Sequence, residues 1–131
     1  MKNKILKKCL AFGMSAFLLA SSLAPVSVQA ATWKQNKTGW WWQEDNGSYP
    51  VSQWKVINGK WYAFDARGYM RSGWFLSNGK WYYLGAANDG SMKTGWQLVN
   101  GSWYYMNPGN GDMAANQWIG NYYVGGSGAM L

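Results

Sequence analysis

From residue 33 onward the chain alternates short apolar runs with single turn signals, which predicts strands and hairpins, not helices. The clearest instance is Trp74-Phe75-Leu76-Ser77-Asn78-Gly79-Lys80-Trp81-Tyr82-Tyr83-Leu84. An Asn-Gly pair suits the mirror-image two-residue turn, whose twist matches that of the flanking strands. The turn sets the register: Ser77 opposite Lys80, Leu76 opposite Trp81, Phe75 opposite Tyr82, Trp74 opposite Tyr83. Opposed residues point to the same side. Trp74, Leu76, Trp81 and Tyr83 therefore share one face, and Phe75, Tyr82 and Leu84 the other. A hairpin apolar on both sides needs neighbours on both.

Those neighbours are copies of itself. Trp33, Trp54, Trp74, Trp96 and Trp118 recur at intervals of 21, 20, 22 and 22 residues, and a second Trp follows seven positions later at Trp40, Trp61, Trp81 and Trp103. A Gly-x-Met triplet closes each unit, ending at Met70, Met92, Met113 and Met130; Tyr49 takes the Met place in the first. The array spans residues 31–131, with units 33–53, 54–73, 74–95, 96–117 and 118–131. The first unit diverges, with a turn at 35–39 and Trp40-Trp41-Trp42 as its second strand. In the second unit Ala63 replaces the third aromatic and leaves a small void. In the fifth, a Gly120-Asn121 turn sets Ile119 opposite Tyr122 and Trp118 opposite Tyr123. Linkers such as 85–90 and 107–111 are turn-rich and differ in length, as repeat arrays allow. The fold expected is all-β: a repeat ββ-solenoid of about five stacked hairpins, extended like a rod.

Composition removes most chemistries. Residues 1–30 read as a secretory signal peptide: Lys2, Lys4, Lys7 and Lys8 precede an apolar run from Cys9 to Ala20, and Val28-Gln29-Ala30 offers a cleavage site. That run of twelve is too short to span a membrane, which takes about 20 residues. The chain has no histidine, and its one cysteine is Cys9. Disulfides, Cys/His metal sites and Cys- or His-based catalysis are excluded from residues 31–131, and neither metal nor cofactor is expected. Glycoside hydrolysis needs two acids facing across a bond. Glu44 and Asp45 are adjacent in a turn, so no enzyme activity is expected. With the signal lysines set aside, the net charge falls from +7 to +3. The remaining cations form no run, which argues against nucleic acid.

All eleven Trp and nine Tyr lie beyond residue 30. Rings at repeat boundaries could be nothing but core. Yet Leu, Ile and Val, the ordinary core residues, are scarce, and Trp and Tyr carry polar edges. Two Trp of one hairpin can meet the middle Tyr of the next, with a Met as floor. Such a box, electron-rich and without an anion, suits a quaternary ammonium group. A single box would bind weakly, and several boxes on a polymer would gain avidity.

The Gly-Trp, Trp-Tyr-Tyr and trailing Gly-x-Met marks, recurring in order from Gly73-Trp74 to Met92 and from Gly95-Trp96 to Met113, resemble the choline-binding (cell-wall-binding) repeats of Gram-positive surface proteins and autolysins. The resemblance covers residues 33–131. It implies a left-handed ββ-solenoid that binds choline between hairpins, and so attaches a secreted protein non-covalently to choline- or phosphocholine-decorated teichoic and lipoteichoic acids of the cell wall. Carried over by position, the choline sites are Trp54, Trp61 and Tyr82 with Met70; Trp74, Trp81 and Tyr104 with Met92; and Trp96, Trp103 and Tyr122 with Met113. A fourth set joins Trp33, Trp40 and Tyr62 with Tyr49, whose ring would crowd the pocket. Related aromatic repeats bind glucan, so a carbohydrate module is the alternative. Sugars ask for amides or carboxylates beside the rings, and Asn46, Asp65, Asn88 and Asp89 sit in linkers. The last face, around Trp118, Tyr123 and Met130, is expected to pair two chains as a homodimer.

Overall fold

The structure, a computed structural model, describes residues 29–131; the expected signal lies almost wholly outside the described residues. Among the described residues, ten strands form five two-stranded antiparallel sheets. They are β1 (Thr32–Gln35) with β2 (Trp40–Gln43), β3 (Gln53–Ile57) with β4 (Lys60–Phe64), and β5 (Trp74–Ser77) with β6 (Lys80–Tyr83). Then come β7 (Gly95–Val99) with β8 (Ser102–Met106), and β9 (Gln117–Ile119) with β10 (Tyr122–Val124). The central register is the expected one, Trp74 opposite Tyr83 through Ser77 opposite Lys80. The fifth hairpin likewise sets Trp118 against Tyr123 and Ile119 against Tyr122.

Turn chemistry explains this regularity. Asn58-Gly59, Asn78-Gly79 and Asn100-Gly101 all take positive φ at both residues, from 49° to 83°, the backbone a two-residue mirror-image turn requires. The first hairpin instead closes over Asn36, whose side-chain oxygen accepts from the amides of Thr38 and Gly39 at 2.8 and 3.2 Å.

Each hairpin after the first is followed by the strand-like Gly-x-Met stretch, which joins it to the hairpin before. The Met amides donate backward across each junction: Met70 to the Trp40 carbonyl, Met92 to Trp61, Met113 to Trp81 and Met130 to Trp103, at 2.7–2.8 Å. The next amide along donates to the stretch's own hairpin, as Arg71 does to Ala63 and Lys93 to Tyr83, both at 2.8 Å. The stretch thus uses donors on both sides, and backbone groups that burial would leave unpaired are satisfied.

The core is a narrow column. Phe64, Leu84, Met106 and Val124 occupy the same place, two positions after Tyr62, Tyr82, Tyr104 and Tyr122, and are at most 1% exposed. Gln43 holds that place in the first hairpin, so the column begins at the second. The gap at Ala63 is a surface cleft of about 220 Å³. Arg71 lies over it, its guanidinium 4.5 Å from the Phe75 ring centroid.

Candidate functional site

Four times, the Trp that opens one hairpin meets the middle ring of the next hairpin's second strand, edge to face. The centroid distances are 4.9 Å for Trp33–Tyr62, 5.0 Å for Trp54–Tyr82, 4.8 Å for Trp74–Tyr104 and 5.9 Å for Trp96–Tyr122. The register causes this, because the opening Trp and the middle aromatic point to opposite faces of their own hairpins. Stacking then brings one face to the other.

The second Trp stands across the cleft. Trp61, Trp81 and Trp103 are 40–45% exposed, so each is an outer wall with one free π-face. Clefts of about 420, 390 and 320 Å³ separate the rings of the first, second and fourth cages. In the third, Trp74 and Trp81 stand edge to face at 6.4 Å. The twelve rings predicted as cage walls are brought together in the predicted groups; the thirteenth predicted ring, Tyr49, is not.

The predicted Met partners are not. The second cleft is lined by Met92 and not Met70, the first by Met70 and not Tyr49, and the fourth by Met130 and not Met113. The third follows the same shift, since Met113 and not Met92 donates to Trp81. The reason is the backward hydrogen bond of the Gly-x-Met stretch, which places each Met under the Trp of the preceding hairpin. Tyr49 does occupy the Met place: a Cβ on Gly68 would meet it at 2.5 Å, as one on Gly90 would meet Met70 at 2.2 Å. It lies outside the first cage, one repeat further back. Met130 belongs to the fourth cage and not to the end face.

Sequence reasoning also missed the rims. Asn88 and Asp89, from the linker after the third hairpin, line the first cleft, and Gly109 and Asn110 line the second. A complete cage thus draws on three successive hairpins. Asn46 and Asp65 stay in their turns, where Asn46 accepts from Ser48 and Asp65 from the amides of Arg67 and Tyr69.

Asp89 gives the first cleft a carboxylate. Partial burial pushes its pKa up, but hydrogen bonds from Lys93 and Ser91 outweigh that and lower it to about 2. Lys93 and the buried Ser91 both donate to it. The Tyr62 hydroxyl is pushed up, first by burial and then by the Asp89 charge.

Comparison with known proteins bears on this geometry. Residues 51–89 and 87–118 match one form of the choline-binding repeat, and residues 112–131 match another. The chain belongs to the choline-binding repeat family. Among solved structures it is similar to CbpJ of Streptococcus pneumoniae TIGR4, with 38% identity and a TM-score of 0.71 over 78% of this chain and 34% of that one. It is similar also to the endolysin of phage Cp-1 complexed with choline, with 40% identity and a TM-score of 0.63 over 82% of this chain and 33% of that one. A lysozyme of Streptococcus phage Cp-1 shares 51% identity over 30 residues, 23% of this chain and 9% of its own length. The choline-binding repeats here thus span about a third of those structures and a small part of the lysozyme. The described residues consist of such repeats and hold no catalytic domain.

Proposed function

We propose that this chain is a non-catalytic cell-wall-binding module. In this reading residues 1–30 export it, and choline residues of teichoic or lipoteichoic acids sit in the aromatic cages between hairpins. The observation that carries it is the fourfold contact of an opening Trp with the next hairpin's middle ring, with a second Trp, 40–45% exposed, across the cleft in the last three cages. Rings on several sides with Met below attract a bulky cation by their π-faces, each contact worth ~0.5–2 kcal/mol. The related phage endolysin solved with choline supports the ligand class. Corrected for the Met shift, the sites are Trp33, Trp40, Tyr62 and Met70; Trp54, Trp61, Tyr82 and Met92; Trp74, Trp81, Tyr104 and Met113; and Trp96, Trp103, Tyr122 and Met130. Choline should quench Trp fluorescence and raise the melting temperature with concentration, because it binds the folded array alone. No response on the order of tens of millimolar choline, with glucose oligomers as control, sinks the reading.

Carbohydrate binding is the second reading. Asn88, Asp89 and Asn110 line the clefts, and the buried indole N–H of Trp40 has no acceptor among the described residues. Retention on dextran in place of a choline matrix would favour it. We also assign a homodimer contact to the C-terminal face. Trp118 is 68% exposed and touches Tyr123 at 5.3 Å. Sedimentation at high concentration with choline should show a dimer, and a monomer there removes it.

A further inference from the structure

One cleft resembles the cages in position but differs from them in chemistry. It measures about 290 Å³ and lies at the outer side of the first hairpin, lined by Trp41, Tyr49, Tyr69, Asn36, Gln43 and Arg67 among others. Repeat by repeat, Trp41 stands where Tyr62 stands, Tyr49 where Met70 stands, and Arg67 where Asp89 stands, directly before the Gly of Gly-x-Met. A cage rim with a carboxylate has become one with a cation, and a thioether floor has become a ring.

Those exchanges turn the cleft against a quaternary ammonium. The Arg67 guanidinium lies 5.1 Å from the Tyr69 ring centroid, so the protein's own cation already occupies that π-face. Lys34 faces Trp41 across the strand pair and adds a second positive charge to the same side. Asp65, the acid of that turn, spends one oxygen on the amides of Arg67 and Tyr69 at 2.9 Å, and Arg67 has no ion-pair partner among the described residues.

The polar groups are fixed and directional. Asn36 donates to the Tyr69 hydroxyl at 2.9 Å while its oxygen holds two backbone amides. The Thr38 side chain is a second hydrogen-bonding neighbour of that hydroxyl, so the phenol is held in place at the edge of the cleft. Gln43 donates to the Gly47 carbonyl at 3.3 Å, and its amide oxygen stays available as an acceptor. Trp41 and Tyr69 stand edge to face at 6.2 Å, giving a flat indole bordered by a fixed hydroxyl, an amide oxygen and a guanidinium fork. Apolar walls with a few placed polar groups are the general form of a small-ligand site, and a guanidinium matches a carboxylate or phosphate bidentately.

We propose that this cleft is a binding site for an anionic saccharide: a pyranose ring stacked on Trp41, hydroxyls on Gln43 and Tyr69, and a carboxylate or phosphate on Arg67. It would act beside the cages and does not depend on their holding choline. The test titrates the full chain, with saturating choline present, against glucuronic acid, glucose 6-phosphate and glucose, by calorimetry or ligand-observed NMR. The anionic sugars should bind about tenfold more tightly than glucose, as a charge-assisted pair predicts. Arg67→Gln should abolish that preference while leaving the choline response intact, which also reports that the exposed-site variant is folded. Binding of the carboxylate sugar alone points to an acidic wall sugar, and of the phosphate sugar alone to a phosphorylated polymer. Equal binding of all three sugars, no binding, displacement by choline, or an unchanged Arg67→Gln variant overturns the proposal.

Discussion

The first and fourth cages are each built from two Trp, a Tyr and a Met, yet they are not equivalent. In the first, Trp33 and Tyr62 meet at 4.9 Å, Tyr62 is half-buried, and the linker after the third hairpin lays Asn88 and Asp89 along the rim. In the fourth, Trp96 and Tyr122 are 5.9 Å apart, Tyr122 is 55% exposed, and the cleft is lined by the three rings and Met130 alone. The difference shows how a cage is completed. Two hairpins supply its walls and floor, and a third covers the closing ring and supplies the rim. Position in the array therefore grades the cages.

The largest break in that comparison is expected from the core column. Phe64 is 1% exposed and stacks on Trp33 at 6.0 Å. Phe64→Ala should cost ~3–5 kcal/mol and loosen the first cage before the fourth, because contacts in an array run between neighbours. Hydrogen exchange should show faster opening of β1 to β4, with β7 to β10 still protected. Equal loss of protection at both ends would mean that the array unfolds as one unit.

A smaller effect is expected at the floors. Gly90 has φ +72°, and a Cβ there would approach the Met70 sulfur to 2.2 Å. Gly90→Ala combines left-handed strain of ~1–2 kcal/mol with displacement of the first cage's floor. Choline affinity at that cage should fall about fivefold, while the fourth, whose Met130 lies three repeats' floors away, keeps its affinity. Calorimetry that resolves the two classes of site checks this.

The smallest effect concerns the rim. Asp89→Asn should weaken the first cage about twofold at low salt, since partly exposed charges contribute only ~0.2–1 kcal/mol, and should leave the fourth unchanged. The pH profile follows from the direction of the shift. Because the Asp89 carboxyl is lowered from 3.8 to about 2 in the folded chain, its contribution to stability is complete above pH 3.8 and is lost as the pH falls toward about 2. Wild type should therefore lose stability over that window more steeply than Asp89→Asn, as acid titration of the melting temperature will show.

Much of this molecule is legible in its residues. Asn-Gly turns fix the strand register through backbone geometry, and the register alone puts Trp74 and Tyr82 on opposite faces, so that each hairpin serves two junctions. The period of Trp determined the count of hairpins, and the ring sets of all four cages followed. The Met assignment did not follow, because a Gly-x-Met stretch after the second strand has length enough to return to its own hairpin or to reach the one before. One sequence signal pointed the right way: four Met for four junctions leave Tyr49 without a cage, whereas the opposite pairing strands Met130. Only the tertiary structure decided the matter, through the Met amide's hydrogen bond to the preceding Trp carbonyl. The rims were decided there too. Asn88 and Asp89 are remote in sequence from Trp33 and Trp40, and only the stacking of three hairpins brings them to one cleft. Local backbone preferences determine a hairpin; the hydrogen bonds and packing between hairpins determine what each cage contains.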